Sequence, residues 1–258
     1  MANAALAALE SALRTRKLDR TLTTALPSLD RVDAAALAAS DSRELDARLG
    51  GGVPRGQLSE IVAAVTPGAA AGVRTAGRTT MLLQMMAAAT RRDEIVALID
   101  TCDALDVASA EAAGIDLERF LWIRGQSLSG GAVATVDRAL DRALKALNLV
   151  LQAGGFGVVA IDLADIPLLL LKRLPLTTWL RVQRTVEGSD TACVLLAPAP
   201  LARSAGGVTL SLNARPAWAG TSDRSRRLAG LELRATVISP RRRVDGEVAI
   251  AAMAIDAR

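Results

Sequence analysis

The sequence predicts an α/β fold: a mainly parallel sheet with helices on both faces and an antiparallel extension at its C-terminal end. Three observations carry that expectation. From about Gly56 onward short apolar runs alternate with longer amphipathic ones, the pattern of strands joined by crossover helices. Runs such as Glu94 to Ile99 and Phe156 to Asp162 are almost continuously apolar, which means both of their faces are covered. Beyond Gly207 the pattern shifts to short alternating segments separated by polar turns, and that suits antiparallel pairing.

Taken in order, residues 2 to 16 place Leu6, Leu9 and Leu13 at helical spacing in an alanine-rich setting. Thr21 to Ser28 with Pro27 reads as a linker, and a second short alanine-rich helix follows, ending near Ser40. Residues 1–39 are therefore expected to form a helical arm, with an oligomerising role open to it, and residues 40–258 the α/β core. Within the core, Gln57 to Val65 reads as a strand, Thr79 to Thr90 as a helix and Glu94 to Ile99 as a buried strand. Asp103 to Ala113 reads as a helix stopped by Gly114, and Phe120 to Ile123 as a strand. Val133 to Ala153 carries Leu140, Leu144, Leu147 and Leu151 on one helical face and is closed by Gly154 and Gly155. The strand Phe156 to Asp162, a helix at Thr178 to Val186 and a strand at Ala192 to Ala197 come next. Val208 to Leu212, Leu231 to Ser239 and Val248 to Ile255 supply the final strands.

Composition narrows the chemistry. The chain has 258 residues, 51% of them hydrophobic, enough for one full core or at most two small ones. Histidine and tyrosine are both absent, and only three Trp and two Phe are present. Hydrolases that use an imidazole base and zinc sites that rely on histidine are thereby excluded or disfavoured, and platforms that stack single-stranded bases have few rings to use. Cys102 and Cys193 stand far apart, with no CxxC pair, which suits a reducing cytosol. No window of about 18 uninterrupted apolar residues occurs. A soluble cytoplasmic protein without a membrane role is expected. The net charge of +4 is uneven: from Leu171 onward 14 Lys and Arg face 7 acidic residues, whereas residues 1–170 carry 17 against 20. A basic C-terminal third of this kind suits either a nucleic-acid surface or a merely solvated face.

One stretch carries most of the chemical information. Gly72-Val-Arg-Thr-Ala-Gly77-Arg78-Thr79-Thr80 stands between a predicted strand and a predicted helix. Its spacing is that of a phosphate-binding loop, G-x-x-x-x-G-K-[ST], with arginine at the lysine position. In such a loop backbone N–H groups face the phosphate, lysine reaches the terminal phosphates and the hydroxyl holds magnesium. A planar guanidinium does not replace a compact ammonium there, and a plain glycine-rich turn is the competing explanation.

The surroundings favour the loop. Ser40 to Ile61, with Leu45-Asp46, the glycine cluster Gly50 to Gly52, Gly52-Val-Pro54-Arg-Gly56 and Glu60, resembles the segment leading into the phosphate loop of RecA and its relatives. The likeness continues through Met81-Leu-Leu-Gln84, Asp100-Thr-Cys-Asp-Ala-Leu-Asp106, Ala113-Gly-Ile-Asp116 and Val158-Val-Ala-Ile-Asp162 to Gly206-Gly207. It implies a RecA-like core in which Gly72, Gly77, Arg78, Thr79, Thr80 and the magnesium-associated Asp162 form a nucleotide site.

Departures from the family pattern bear on activity. The third residue of the family's D-A-E segment, the glutamate that activates water, is Cys102 here, and a thiol is no substitute for that carboxylate. No glutamine or asparagine sensor follows the strand at Cys193 to Ala197, and Thr66 to Gly72 lengthens the loop. No catalytic residue is therefore assigned, and whether Mg-ATP binds is open. The chain resembles the ImuA group, degenerate RecA-like proteins of the translesion mutasome. That resemblance implies a regulator or scaffold in damage-induced error-prone repair, partnered by RecA or by translesion polymerase components. The alternative is a divergent DNA-dependent ATPase that still binds and slowly hydrolyses ATP, with Asp103 or Glu60 as base. Arg181, Arg184, Arg241, Arg242 and Arg243 are candidates for a nucleic-acid or partner surface, alongside Arg224, Arg226 and Arg227; DNA held there would be bound without sequence preference.

Overall fold

The structure, a computed structural model, describes residues 34–64, 77–127, 133–202, 204, 206–222, 224–238 and 247–253. Gly72 with the lengthened loop, Arg241 to Arg243 and the expected N-terminal helices up to residue 33 lie outside the described residues. The described part begins with a 3-10 turn at Ala34–Ala36 and the short strand β1 (Leu37–Ala38). An alanine-rich helix reaching Ser40 was the expectation. It cannot form at this end because Leu37 and Ala38 pair antiparallel with β2 (Val53–Pro54).

Helix α1 (Arg43–Leu49) lies between these two strands. Ser42 caps its start by accepting from the Leu45 N–H, and Gly50, at φ 76°, ends it in the left-handed conformation. Gly52, at φ 141°, has no room for a Cβ, which would collide with the Ala38 backbone. The glycine cluster is therefore a steric requirement of the β1–β2 pairing.

The main sheet has eight strands in the order β10-β9-β8-β3-β7-β6-β4-β5. Its parallel part comprises β3 (Gln57–Ala63), β4 (Ile95–Asp100), β5 (Phe120–Arg124), β6 (Phe156–Asp162), β7 (Ala192–Ala197) and β8 (Thr209–Ala219). Only β9 (Arg227–Ile238) and β10 (Glu247–Met253) run antiparallel. The predicted antiparallel extension thus begins one strand later than the sequence texture suggested, since β8 still pairs parallel with β3.

Two hydrophobic layers cover the sheet. On one face α2 (Arg78–Thr90) buries Met81, Leu82, Met85 and Met86 together with Leu45 and Leu49 of α1. On the other, α4 (Val133–Ala153) contributes Leu140, Leu147 and Leu151, and α6 (Leu176–Val186) adds Trp179, Val182 and Val186. The absence of bulk in Gly206 and Gly207 also has a local cause: a Cβ on either would meet Gln57 or the Leu58 carbonyl, so the chain entering β8 can lie close to β3 only with glycine there. Among the described residues no helix is long and apolar enough to cross a membrane.

Candidate functional site

A cleft of about 280 Å³ opens at the carboxyl ends of β4 and β6, against the first turn of α2. Ligands of such sheets bind on this side, where successive crossovers part. Gly77, Arg78, Thr79, Thr80 and Asp162 all line it, joined by Asp100, Ala104, Leu105, Ala164, Asp165 and Leu231. Five of the six residues assigned to a nucleotide site therefore share one cleft, and the sixth, Gly72, is outside the described residues.

Each member is placed by local structure. Gly77 precedes α2 at φ 71°, a conformation that favours glycine. A Cβ there would also collide with the Leu233 side chain of β9. Thr79 is exposed and Thr80 half-buried in the first turn of α2, where unpaired N–H groups attract anions. Arg78 behaves differently from an outstretched lysine. It is 8% exposed, and its guanidinium donates to the carbonyl of Ala197 at the end of β7, at 3.0 Å.

Asp100 and Asp162 are register partners at the ends of β4 and β6. The Asp100 carboxylate accepts from the N–H groups of Ala104 (3.0 Å) and Leu105 (2.9 Å) and from the Trp122 indole (3.2 Å). It thereby shapes the turn after β4. The Asp162 carboxyl accepts from the Ala164 N–H at 2.8 Å. Burial raises its pKa to about 6, with Asp100 and Asp165 adding to the effect and Ala164 and Arg78 opposing it.

The turn after β4 also settles where Cys102 and Asp103 go. Cys102 is half-buried, packed against the hydrophobic layer of α4 and α6. Its thiol is pushed up to about 11 by burial and by Asp165, Asp162 and Asp100, so it is protonated at neutral pH. Asp103, at φ 54°, is held by Arg124 through Nε to Oδ1 (2.8 Å) and the terminal nitrogen to Oδ2 (3.0 Å). These bonds keep its carboxyl below the usual range, and Arg124 in turn stacks on Trp122, 4.5 Å from the ring centre. Asp103 does not line the cleft.

Glu60 lies mid-strand in β3, 1% exposed. It alternates with Leu58 and Val62, on the sheet face opposite α2. Its Oε1 accepts from Leu201 and Ala202 N–H groups (2.7 and 2.8 Å) and its Oε2 from the Thr209 hydroxyl (3.2 Å). Both residues named as alternative bases are thus engaged elsewhere. The expected Asp103 to Ala113 helix is shorter, α3 at Val107–Ala112, because Asp100 claims two N–H groups ahead of it and Asp106 is its N-cap.

Arg181 and Arg184 are exposed on α6, on the face away from α2. Asp100, Asp165 and Leu231 were not singled out as site residues in the sequence. Asp100 had a visible signal, as the last residue of an apolar strand. Leu231 had none, because only the return of β9 past α2 brings it to the cleft.

The sequence model of the RecA N-terminal domain family matches residues 9–164. Among curated proteins, the chain is 35% identical over 122 residues to Protein RecA of Rubrobacter xylanophilus, covering 47% of this chain and 29% of that protein. Protein RecA of Methylococcus capsulatus is 32% identical over 122 residues, with the same two coverages, 47% and 29%. Protein RecA of Helicobacter pylori is 30% identical over 135 residues, covering 52% and 32%. The match thus spans under a third of each relative's length. With more than half of the chain matched, the chain belongs to the RecA N-terminal domain family.

Proposed function

We propose that this RecA-family protein does not turn over ATP efficiently and acts as a regulator or scaffold in damage-induced, error-prone DNA repair, in the manner of the ImuA group. RecA itself and translesion polymerase components are the partners this reading names. The observation that carries it is the turn after β4. A protonated thiol occupies the position of the water-activating glutamate, and Asp103 and Glu60 are both committed to structural bonds. Phosphoryl transfer depends on placed charge and a placed base, and neither Cys102 nor Asp103 nor Glu60 lines this cleft. Arg78, directed to the Ala197 carbonyl, further separates the site from one with an extended lysine.

A surface suited to a partner lies elsewhere. Leu169 (79% exposed), Leu176 (58%) and Leu180 (50%) stand on and beside α6 near Arg181 and Arg184. Apolar groups rimmed by arginine are the composition of protein interfaces. The test is an ATPase assay with and without single-stranded DNA, paired with a pull-down against RecA. DNA-stimulated hydrolysis at a recombinase-like rate would end the proposal; no turnover together with RecA or polymerase-component capture, reduced by Leu176→Asp and Leu180→Asp, is the expected result.

One observation favours a second reading. The cleft remains open at the N-terminus of α2, with Thr79, Thr80 and the Asp162 carboxyl facing it, so nucleotide can be held without efficient turnover, or with slow hydrolysis. Mg-ATP at about 100 times its dissociation constant would add roughly 2.7 kcal/mol of stability. Absence of any Tm shift at millimolar Mg-ATP removes this reading and leaves the first intact.

A further inference from the structure

A second cleft, of about 240 Å³, lies on the opposite face of the sheet, between the carboxyl ends of β4 and β5 and the helix α4. Its apolar lining is Ile99, Ile123 and the alanines 139, 143 and 146, residues on one side of α4 whose short side chains leave space beside the strands. Its polar lining is Asp100, Thr101, Arg124, Gln126 and Arg142.

Two features mark it as a ligand site rather than a packing gap. Thr101 follows Ala97 and Ile99 on the α4 face and is 1% exposed, yet its hydroxyl has no hydrogen-bond partner among the described residues. Buried hydroxyls are almost always bonded. The second feature is charge. Arg124 is neutralised by Asp103, whereas Arg142 forms no ion pair among the described residues. The one carboxylate residue in the lining, Asp100, has its oxygens occupied by Ala104, Leu105 and Trp122.

We propose that this cleft binds a monocarboxylate with a short aliphatic body. Its carboxylate would sit on the Arg142 guanidinium and accept the Thr101 O–H, and its body would rest on Ile99, Ile123 and Ala143. One uncompensated guanidinium matches a single negative charge, whereas a phosphate, at about −1.5 to −2, would be left undercompensated.

The test is a titration of the full chain with isobutyrate, followed by amide chemical shifts, with inorganic phosphate as the second probe. Isobutyrate should give saturable shifts at Gly125, Gln126 and Ala143, and phosphate none. Arg142→Gln should weaken binding at least about ten-fold, as expected for loss of a charge-assisted bond. Thr101→Val should weaken it as well while leaving the Tm of the unliganded protein unchanged or higher, because a methyl replaces an unbonded hydroxyl. Circular dichroism establishes that both variants are folded. The proposal is overturned by no shifts up to about 50 mM isobutyrate, where a ligand with Kd of about 1 mM saturates. Unchanged affinity in Arg142→Gln, a lowered Tm in Thr101→Val, or tighter binding of phosphate at these amides overturns it equally.

Discussion

At pH 8 a thiol with a pKa of about 11 is about 0.1% thiolate, and that fraction sets how Cys102 reacts. Iodoacetamide should modify it on the order of a hundred-fold more slowly than an unperturbed cysteine, which is near a quarter thiolate at that pH. Cys193, fully buried and pushed up to about 12, should not compete. Rapid alkylation of Cys102, read by mass spectrometry, would mean that the thiol is poised for chemistry. Asp162 gives a second residue-level test. Its folded pKa of about 6 lies above the ordinary aspartate value of 3.8, so the folded state binds the proton more tightly than the unfolded state. That contribution is fully present below about pH 4 and is lost as pH rises through 6. Asp162→Asn should therefore flatten the stability profile between pH 4 and 6 and raise stability at pH 7 by up to about 3 kcal/mol, measured by denaturant unfolding. Arg78, Thr79, Thr80 and Asp162 were legible as companions in the sequence, because they stand in motifs of fixed spacing, and they share one cleft. The behaviour of Asp162 was not legible, since it depends first on burial of its carboxyl and then on Asp100, which strand register brings to the same level, and on Asp165.

Elements whose boundaries rest on local chemistry were readable; those bounded by tertiary bonds were not. Helix α4 runs Val133–Ala153 and β6 and β7 run Phe156–Asp162 and Ala192–Ala197, as the apolar periodicity and the closing Gly154-Gly155 pair predict. The four-residue α5 (Leu168–Leu171) passed unnoticed inside an apolar run, and β8 and β9 are far longer than their alternation suggested because each pairs with the other past the buried stretch. Two side chains bind elements together. Arg55, in the turn between β2 and β3, donates to the carbonyls of Leu37 (3.2 Å), Gly157 (3.1 Å) and Asp190 (2.9 Å) and to Glu94 (2.6 Å). It thus fastens the amino-terminal ends of β3, β4 and β6 and the approach to β7. Arg55→Ala leaves Glu94 and three carbonyls short of a donor and should cost about 3 kcal/mol, a Tm loss of about 10 °C for a chain of this size. Glu60 does the same at the other end. Glu60→Gln retains an acceptor for Leu201 and Ala202 and should cost about 1 kcal/mol, whereas Glu60→Ala strands both N–H groups and should cost about 3 kcal/mol. If Glu60 were instead a catalytic base, Glu60→Gln would abolish whatever turnover exists while leaving Tm unchanged.

On the scale of the whole molecule, the cleft and the arginine-rich surfaces are separated. The cleft faces α2, whereas Arg181 and Arg184 ride on α6 across the sheet, and the β8–β9 hairpin carries the exposed Trp218 near the end of β8 and Arg224 and Arg226 in its turn. Arg226 lies over the Trp218 ring, 5.0 Å from its centre. Sequence composition located the basic excess in the C-terminal third but not this division, which follows from α6 and the long β8–β9 hairpin leaving the sheet in different places. The two surfaces make different predictions for single-stranded DNA. A guanidinium on a phosphate releases counterions, so each one removed lowers the slope of log K against log salt by about 0.7. Replacing both Arg181 and Arg184 by glutamine should therefore lower the slope by about 1.4 if α6 lies on the backbone, and by nothing if DNA is held at the hairpin. Trp218→Ala acts through stacking, which releases no ions. If DNA is held at the hairpin, it should weaken binding by about 1–3 kcal/mol at every salt concentration while leaving the slope unchanged. Fluorescence anisotropy across a salt series reads both quantities, and a chain whose arginines serve only intramolecular pairs and solvation would show neither change.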